Sequence, residues 1–150
     1  MKLETIILCI LSAAVGPMGF ARGASLVYDA NIDKPDAEPT CSFDYGLALV
    51  NDTVANIGHL SDVANSTCSV PAATCARISH KGASSIFFCN FESHPIDTKC
   101  GDLIEPAEQI SDACRMGNRY TYGYVSRSIV DGSQSYPYLV AIGDDYAFEL

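Results

Sequence analysis

The sequence has no tryptophan and little positive charge: nine Lys and Arg stand against eighteen Asp and Glu, a formal net charge of −9. Cations this few and this scattered exclude a nucleic-acid binder, because the phosphate backbone is met by clustered Lys and Arg. They equally exclude a cationic membrane-lytic peptide. No apolar stretch reaches the roughly 20 residues that a bilayer-crossing helix needs, so no membrane span is expected. CxxC and HxxxH pairs are missing, and the cysteine gaps of 27, 7, 14, 11 and 14 that follow Cys41 match no zinc spacing. There is no GxSxG elbow for a serine nucleophile. Gly117, Gly123, Gly132 and Gly143 are isolated and build no phosphate-cradling loop, and Asp144-Asp145 matches no calcium loop. Neither a cofactor nor a metal site is therefore expected. What is present suits one small folded domain: 150 residues, of which 48% are hydrophobic, too many for a disordered chain.

The N-terminus has the layout of a secretory signal peptide over residues 1–21. Ile6 to Val15 is an apolar run of ten, Gly16-Pro17 breaks it, and Ala21 with Gly19 two before it suits a signal peptidase. Gly23 is the rival cleavage position. A run this short is half of what an anchor would require. Cleavage removes Cys9 and leaves Cys41, Cys68, Cys75, Cys89, Cys100 and Cys114. An even count in a short secreted chain reads as three disulfides, and six cysteines allow 15 pairings between which sequence does not choose. All six being oxidised, none is a catalytic thiol. Two N-glycosylation sequons, Asn51-Asp52-Thr53 and Asn65-Ser66-Thr67, fit the same extracellular compartment.

Residues 22–40 are rich in Asp, Pro and Ala and read as a flexible acidic arm before a single domain over 41–150. No dibasic site marks the arm for removal. Val54, Ile57, Leu60 and Val63 recur at helical spacing and predict a helix over about 53–65 with Asp52 as its cap. Alternation through Ala76, Ile78 and His80, a turn at Lys81-Gly82 and the apolar run Ser84 to Asn90 predict a β-hairpin. Asp102 with Glu105 at capping-box distance opens a second helix, with Ala107, Ile110, Ala113 and Cys114 on one face and Gly117 as its stop. Tyr120 to Val130, interrupted at Gly123, and Tyr138 to Ile142 form a last strand pair around Asp131-Gly132. The connections are too short for parallel crossovers throughout. The expected fold is α+β: an antiparallel sheet of about four strands, with two helices packed on one face, stapled by disulfides. A bridge between Cys89 on a strand and Cys114 on a helix is one pairing that would join the two layers.

Two groups of residues stand out as functional candidates. Tyr120, Tyr122, Tyr124, Tyr136 and Tyr138 fall in the last two strands, and their alternation places them on one face. If helices cover the other face, they form an exposed stripe suited to binding, although cross-strand pairing alone would also account for them. The second group is His94 with Glu92, and Arg77 on the facing strand, the residue types that acid–base cleavage of RNA would need. No local motif of the small fungal ribonucleases accompanies them, so a ribonuclease-like hydrolase stands only as the alternative. A cell-surface structural or carbohydrate-binding protein is a third possibility, weakened by the lack of Trp.

The run from Cys68 to Ile142 resembles a family of small secreted cysteine-rich proteins of ascomycete fungi. The shared layout is a C-x-R/K-[IVL] segment, here Cys75-Ala76-Arg77-Ile78, then G-x-[SA]-x-I-x-x-C, here Gly82 to Cys89. A helix with A-x-x-I-x-x-x-C follows, here Ala107, Ile110 and Cys114, and then a closing Leu139-Val140-Ala141-Ile142 strand. The layout is also similar to the killer-toxin-like proteins, α/β sandwiches used as toxins and plant-pathogen effectors. The resemblance implies an extracellular, non-enzymatic protein directed at a host or a competing microbe, with no catalytic residue to carry over.

Overall fold

A computed structural model describes residues 37–144. The expected signal peptide, its cleavage site, Cys9 and the arm up to residue 36 lie outside the described residues. In chain order the elements are β1 (Ala48–Leu49), α1 (Val50–Asp62), β2 (Thr67–Val70), β3 (Thr74–Lys81), β4 (Ser84–Asn90), β5 (Ile96–Lys99), α2 (Ile104–Ala113), β6 (Arg115–Met116), β7 (Tyr120–Thr121), β8 (Gly123–Asp131) and β9 (Gln134–Gly143). Single 3-10 turns at Phe43–Tyr45 and Cys100–Leu103 complete the set.

The apolar segments at 74–90 and 123–143 each fold back on themselves as antiparallel hairpins. They join through β4 and β9 into a four-stranded sheet of order β3-β4-β9-β8. A one-residue bulge at Ile78 interrupts β3. The α+β class and the antiparallel pairing agree with the sequence. The number of sheets does not: among the described residues there are three, because β2 pairs with β5, and β1, β7 and β6 form a small sheet of their own. These extra strands are two to four residues long, too short to display an alternation.

β4 (SSIFFCN) is buried at every position, because both faces of the sheet are covered at its centre. On one face Ile86, Phe88, Val125, Val140 and Ile142 pack with Leu60 of α1 and with Leu103, Ala107 and Ile110 in and before α2. On the other, Phe87, Cys89, Tyr124, Leu139 and Ala141 pack around Tyr45. A strand buried on both sides reads as a continuous apolar run. Tyr45 lies so close that a Cβ on Gly143 would stand 1.7 Å from its carbonyl oxygen, so only glycine fits there.

Helix α1 starts three residues before its predicted position. Its N-cap is Leu49, not Asp52, and the orphan N–H of Val50 is satisfied by the carbonyl of Arg119 at 3.0 Å. The expected apolar ladder holds in part: Leu60 is buried in the core and Ile57 and Val63 pack against it. Val54 is 57% exposed, whereas Thr53 and Asn56 are fully buried. Their partners explain this. Thr53 Oγ1 lies 2.8 Å from Ser84 Oγ, Asn56 Nδ2 donates to the Ser84 carbonyl at 3.0 Å, and Ser79 Oγ donates to Asn56 Oδ1 at 2.9 Å. A polar seam thus joins α1 to the β3–β4 hairpin, and every buried group in it is paired. Asp102 likewise does not cap α2; its carboxylate accepts from Thr98 Oγ1 at 3.0 Å, and Leu103 holds the cap position.

Three disulfides link Cys41–Cys114, Cys68–Cys100 and Cys75–Cys89. A bridge between Cys89 and Cys114 does not form, because Cys75 and Cys89 stand directly opposite each other in the hairpin register. Three such bonds in a small domain are typical of extracellular proteins. Among the described residues no helix is long and apolar enough to cross a membrane.

Candidate functional site

The five tyrosines do not share a face. Tyr124 packs in the cluster around Tyr45, while Tyr136 and Tyr138 lie on the opposite, helix-bearing side. Tyr120 belongs to the small sheet, paired with Leu49 and Met116. Tyr122 stacks on exposed Phe43, ring centroids 4.5 Å apart. The expected stripe fails at Gly123, where φ is +119° and a Cβ would meet the Thr40 carbonyl oxygen at 2.4 Å. β7 ends at Thr121 and β8 begins at Gly123 in a different sheet, so the alternation counted from Tyr120 does not continue into Tyr124.

What the fold does bring together is the 90–100 loop and the tip of the β8–β9 hairpin. Between them is an open cleft of about 450 Å³. Its lining includes His94, Ile96 and Asp97 on one side and Ile129, Val130 and Tyr136 on the other. The His94 ring stands edge-on to Tyr136, centroids 4.9 Å apart at 77°. Ile96 is buried beneath them, and Val130 is 74% exposed at the rim. Asp97 and Asp131 add carboxylates at the edge. An apolar floor, an aromatic pair and flanking negative charge suit an apolar or aromatic side chain that carries a positive group nearby.

The loop is held by one residue that sequence reasoning passed over. Asn90 is fully buried at the end of β4. Its Nδ2 donates to the carbonyls of His94 at 2.7 Å, Pro71 at 3.0 Å and Val70 at 3.4 Å. Its Oδ1 accepts from the Glu92 N–H at 2.8 Å. A single Asn between an apolar strand and a polar loop carries no distinctive signal; only its position, two residues before Glu92, hints at a local Asx turn.

His94, Glu92 and Arg77 are not gathered at this cleft. Arg77 sits opposite Phe87 and so leaves the sheet on the Tyr45 side, whereas His94 packs on Tyr136 at the other face. Asn51 and Asn65 both have exposed side chains.

Next to the cleft strand, Arg127 is buried and fully engaged. Its guanidinium donates to the carbonyls of Ala37 at 2.9 Å and Ser126 at 2.8 Å, bonds Gln109 and lies 3.5 Å from Glu105. Tyr138 stands opposite Arg127 in the register. Burial pushes its phenol up from 10.0 to about 12, opposed by Arg127 and reinforced by Asp102 and Glu105. The unfolded chain therefore loses this proton first. Stability from Tyr138 is intact below pH 10 and is lost between pH 10 and about 12. The expected loss is on the order of 2 kcal/mol. Urea midpoints measured across pH 9–12 should fall less in Tyr138→Phe than in the parent; identical slopes would remove Tyr138 as the cause.

No protein-family model matches the chain, and neither a curated protein nor a solved structure matches it.

Proposed function

We propose that this chain is a secreted, disulfide-stabilised protein of the fungal effector or killer-toxin-like kind, which acts on a host or competitor by contact and not by turnover. The observation that carries the reading is the cleft between the 90–100 loop and the β8–β9 tip, whose loop is pinned by buried Asn90. A concavity fixed before binding loses little entropy when it is filled. Its partner would present an apolar or aromatic side chain beside a positive charge, complementary to Asp97, Asp131 and a chain of net charge −9. The three disulfides suit a protein that must survive outside the cell.

The test uses the oxidised protein, fluorescently labelled and titrated onto intact plant protoplasts and yeast cells. Saturable binding is expected to one of these surfaces. The His94→Ala, Tyr136→Ala double variant should bind about 30-fold more weakly, the scale of one anchoring contact of about 2 kcal/mol. Binding to neither surface, together with RNA hydrolysis that His94→Ala abolishes, would replace this reading by the ribonuclease-like one. Retention on chitin or glucan that the double variant leaves unchanged would favour a cell-surface structural role instead.

A further inference from the structure

We infer that the two sequons accept a glycan at different stages: Asn65 in the folded domain as well as before it, Asn51 only before folding. The inference rests on the secretory reading above, since the glycan donor is found only in that compartment. In the transfer, the Asn carboxamide nitrogen attacks the anomeric carbon of an oligosaccharide linked to a lipid pyrophosphate. A C–N bond forms, the anomeric C–O bond breaks, the amide proton passes to a base, and the lipid pyrophosphate leaves. The transferase must also hold the hydroxyl two residues after the Asn, so both side chains have to be accessible.

At Asn65-Ser66-Thr67 all three residues are exposed: Asn65 and Ser66 follow α1, and Thr67 is the first residue of β2. At the first sequon Asn51 is exposed in the first turn of α1, but Thr53 is completely buried. The Thr53 hydroxyl is already bonded twice, donating to the Leu49 carbonyl at 3.0 Å and lying 2.8 Å from Ser84 Oγ. Packing of α1 on the β3–β4 hairpin therefore hides the group that the transferase reads. A glycan attached earlier is still tolerated, because Asn51 is exposed and lines an open cleft of about 330 Å³ with Leu49, Asp52, Asn118 and Arg119. Asn65 stands at the Thr67–Lys99 end of the β2–β5 pair, whereas Ile96, at the other end, lines the His94–Tyr136 cleft.

The experiment supplies the transferase directly. The full chain, refolded with its three disulfides, is incubated with microsomal oligosaccharyltransferase and lipid-linked oligosaccharide, and so is the reduced, unfolded chain. Intact mass before and after amidase release counts the glycans, and Asn51→Gln and Asn65→Gln assign them. One glycan, on Asn65, is expected in the folded protein, and two in the unfolded chain. A glycan on Asn51 of the folded protein, none on Asn65 of the folded protein, or fewer than two on the unfolded chain would overturn the inference. Secretion is measured separately, with the native N-terminus in a fungal host. Retention inside the cell would defeat the proposed function and leave the acceptor result standing.

Discussion

Reduction of all three disulfides is expected to abolish cooperative folding at 25 °C. In the chain-entropy account a bond stabilises by restricting the unfolded chain, and the effect grows slowly with the loop it closes. Cys41–Cys114 spans 73 residues and contributes about 4–5 kcal/mol; Cys75–Cys89 spans 14 and contributes about 3. The three together are comparable with the whole net stability of an ordinary domain, about 5–15 kcal/mol. Circular dichroism and tyrosine fluorescence, followed through a urea titration with and without reductant, will show it. Between paired variants, Cys41→Ser with Cys114→Ser should cost about 1.5 kcal/mol more than Cys75→Ser with Cys89→Ser. Equal urea midpoints for the oxidised and reduced protein would sink the prediction.

Replacing Asn90 by Ala should cost about as much as losing one of these bonds. From a fully buried position the two amide N–H groups of Asn90 donate to the His94 and Pro71 carbonyls, with the Val70 carbonyl a longer shared contact at 3.4 Å, and its Oδ1 accepts from Glu92. Each such bond is worth about 1 kcal/mol net, and the buried carbonyls left behind add a desolvation cost. A loss of about 3–4 kcal/mol is expected, seen as a lower urea midpoint at unchanged slope. Asn90→Asp should not rescue it, since the carboxylate keeps the acceptor for Glu92 but loses every donor and buries a charge. Binding should fall with stability, because the carbonyl of His94 is one of the groups released. His94 and Tyr136 ring resonances that keep their chemical shifts in Asn90→Ala would show that Asn90 does not shape the cleft.

How much of this was legible in the sequence varies with the range of the interactions involved. The β3–β4 hairpin was readable, because its alternation and its glycine turn are local. The start of α1 was not, because the group that caps Val50 is a carbonyl 69 residues away, on Arg119. Thr53 and Asn56 gave a polar signal on what is a buried face, and only the serines of the hairpin explain it. The tyrosine pattern misled because the interruption at Gly123 separates two strands that belong to different sheets, and that pairing depends on distant partners. His94 was named from the sequence only with Glu92 and Arg77, and its contact with Tyr136 depends on a tertiary fold that brings position 94 to position 136.

The three disulfides are nested: 75–89 lies within 68–100, which lies within 41–114. Synthesis from the N-terminus therefore delivers the thiols in last-in, first-out order. Cys89, Cys100 and Cys114 emerge in turn, and each belongs with the latest thiol still waiting. Cross-linking can advance outward from the hairpin with no strand threaded through a closed ring, so a chain growing into an oxidising lumen meets its correct partners without having to undo earlier ones.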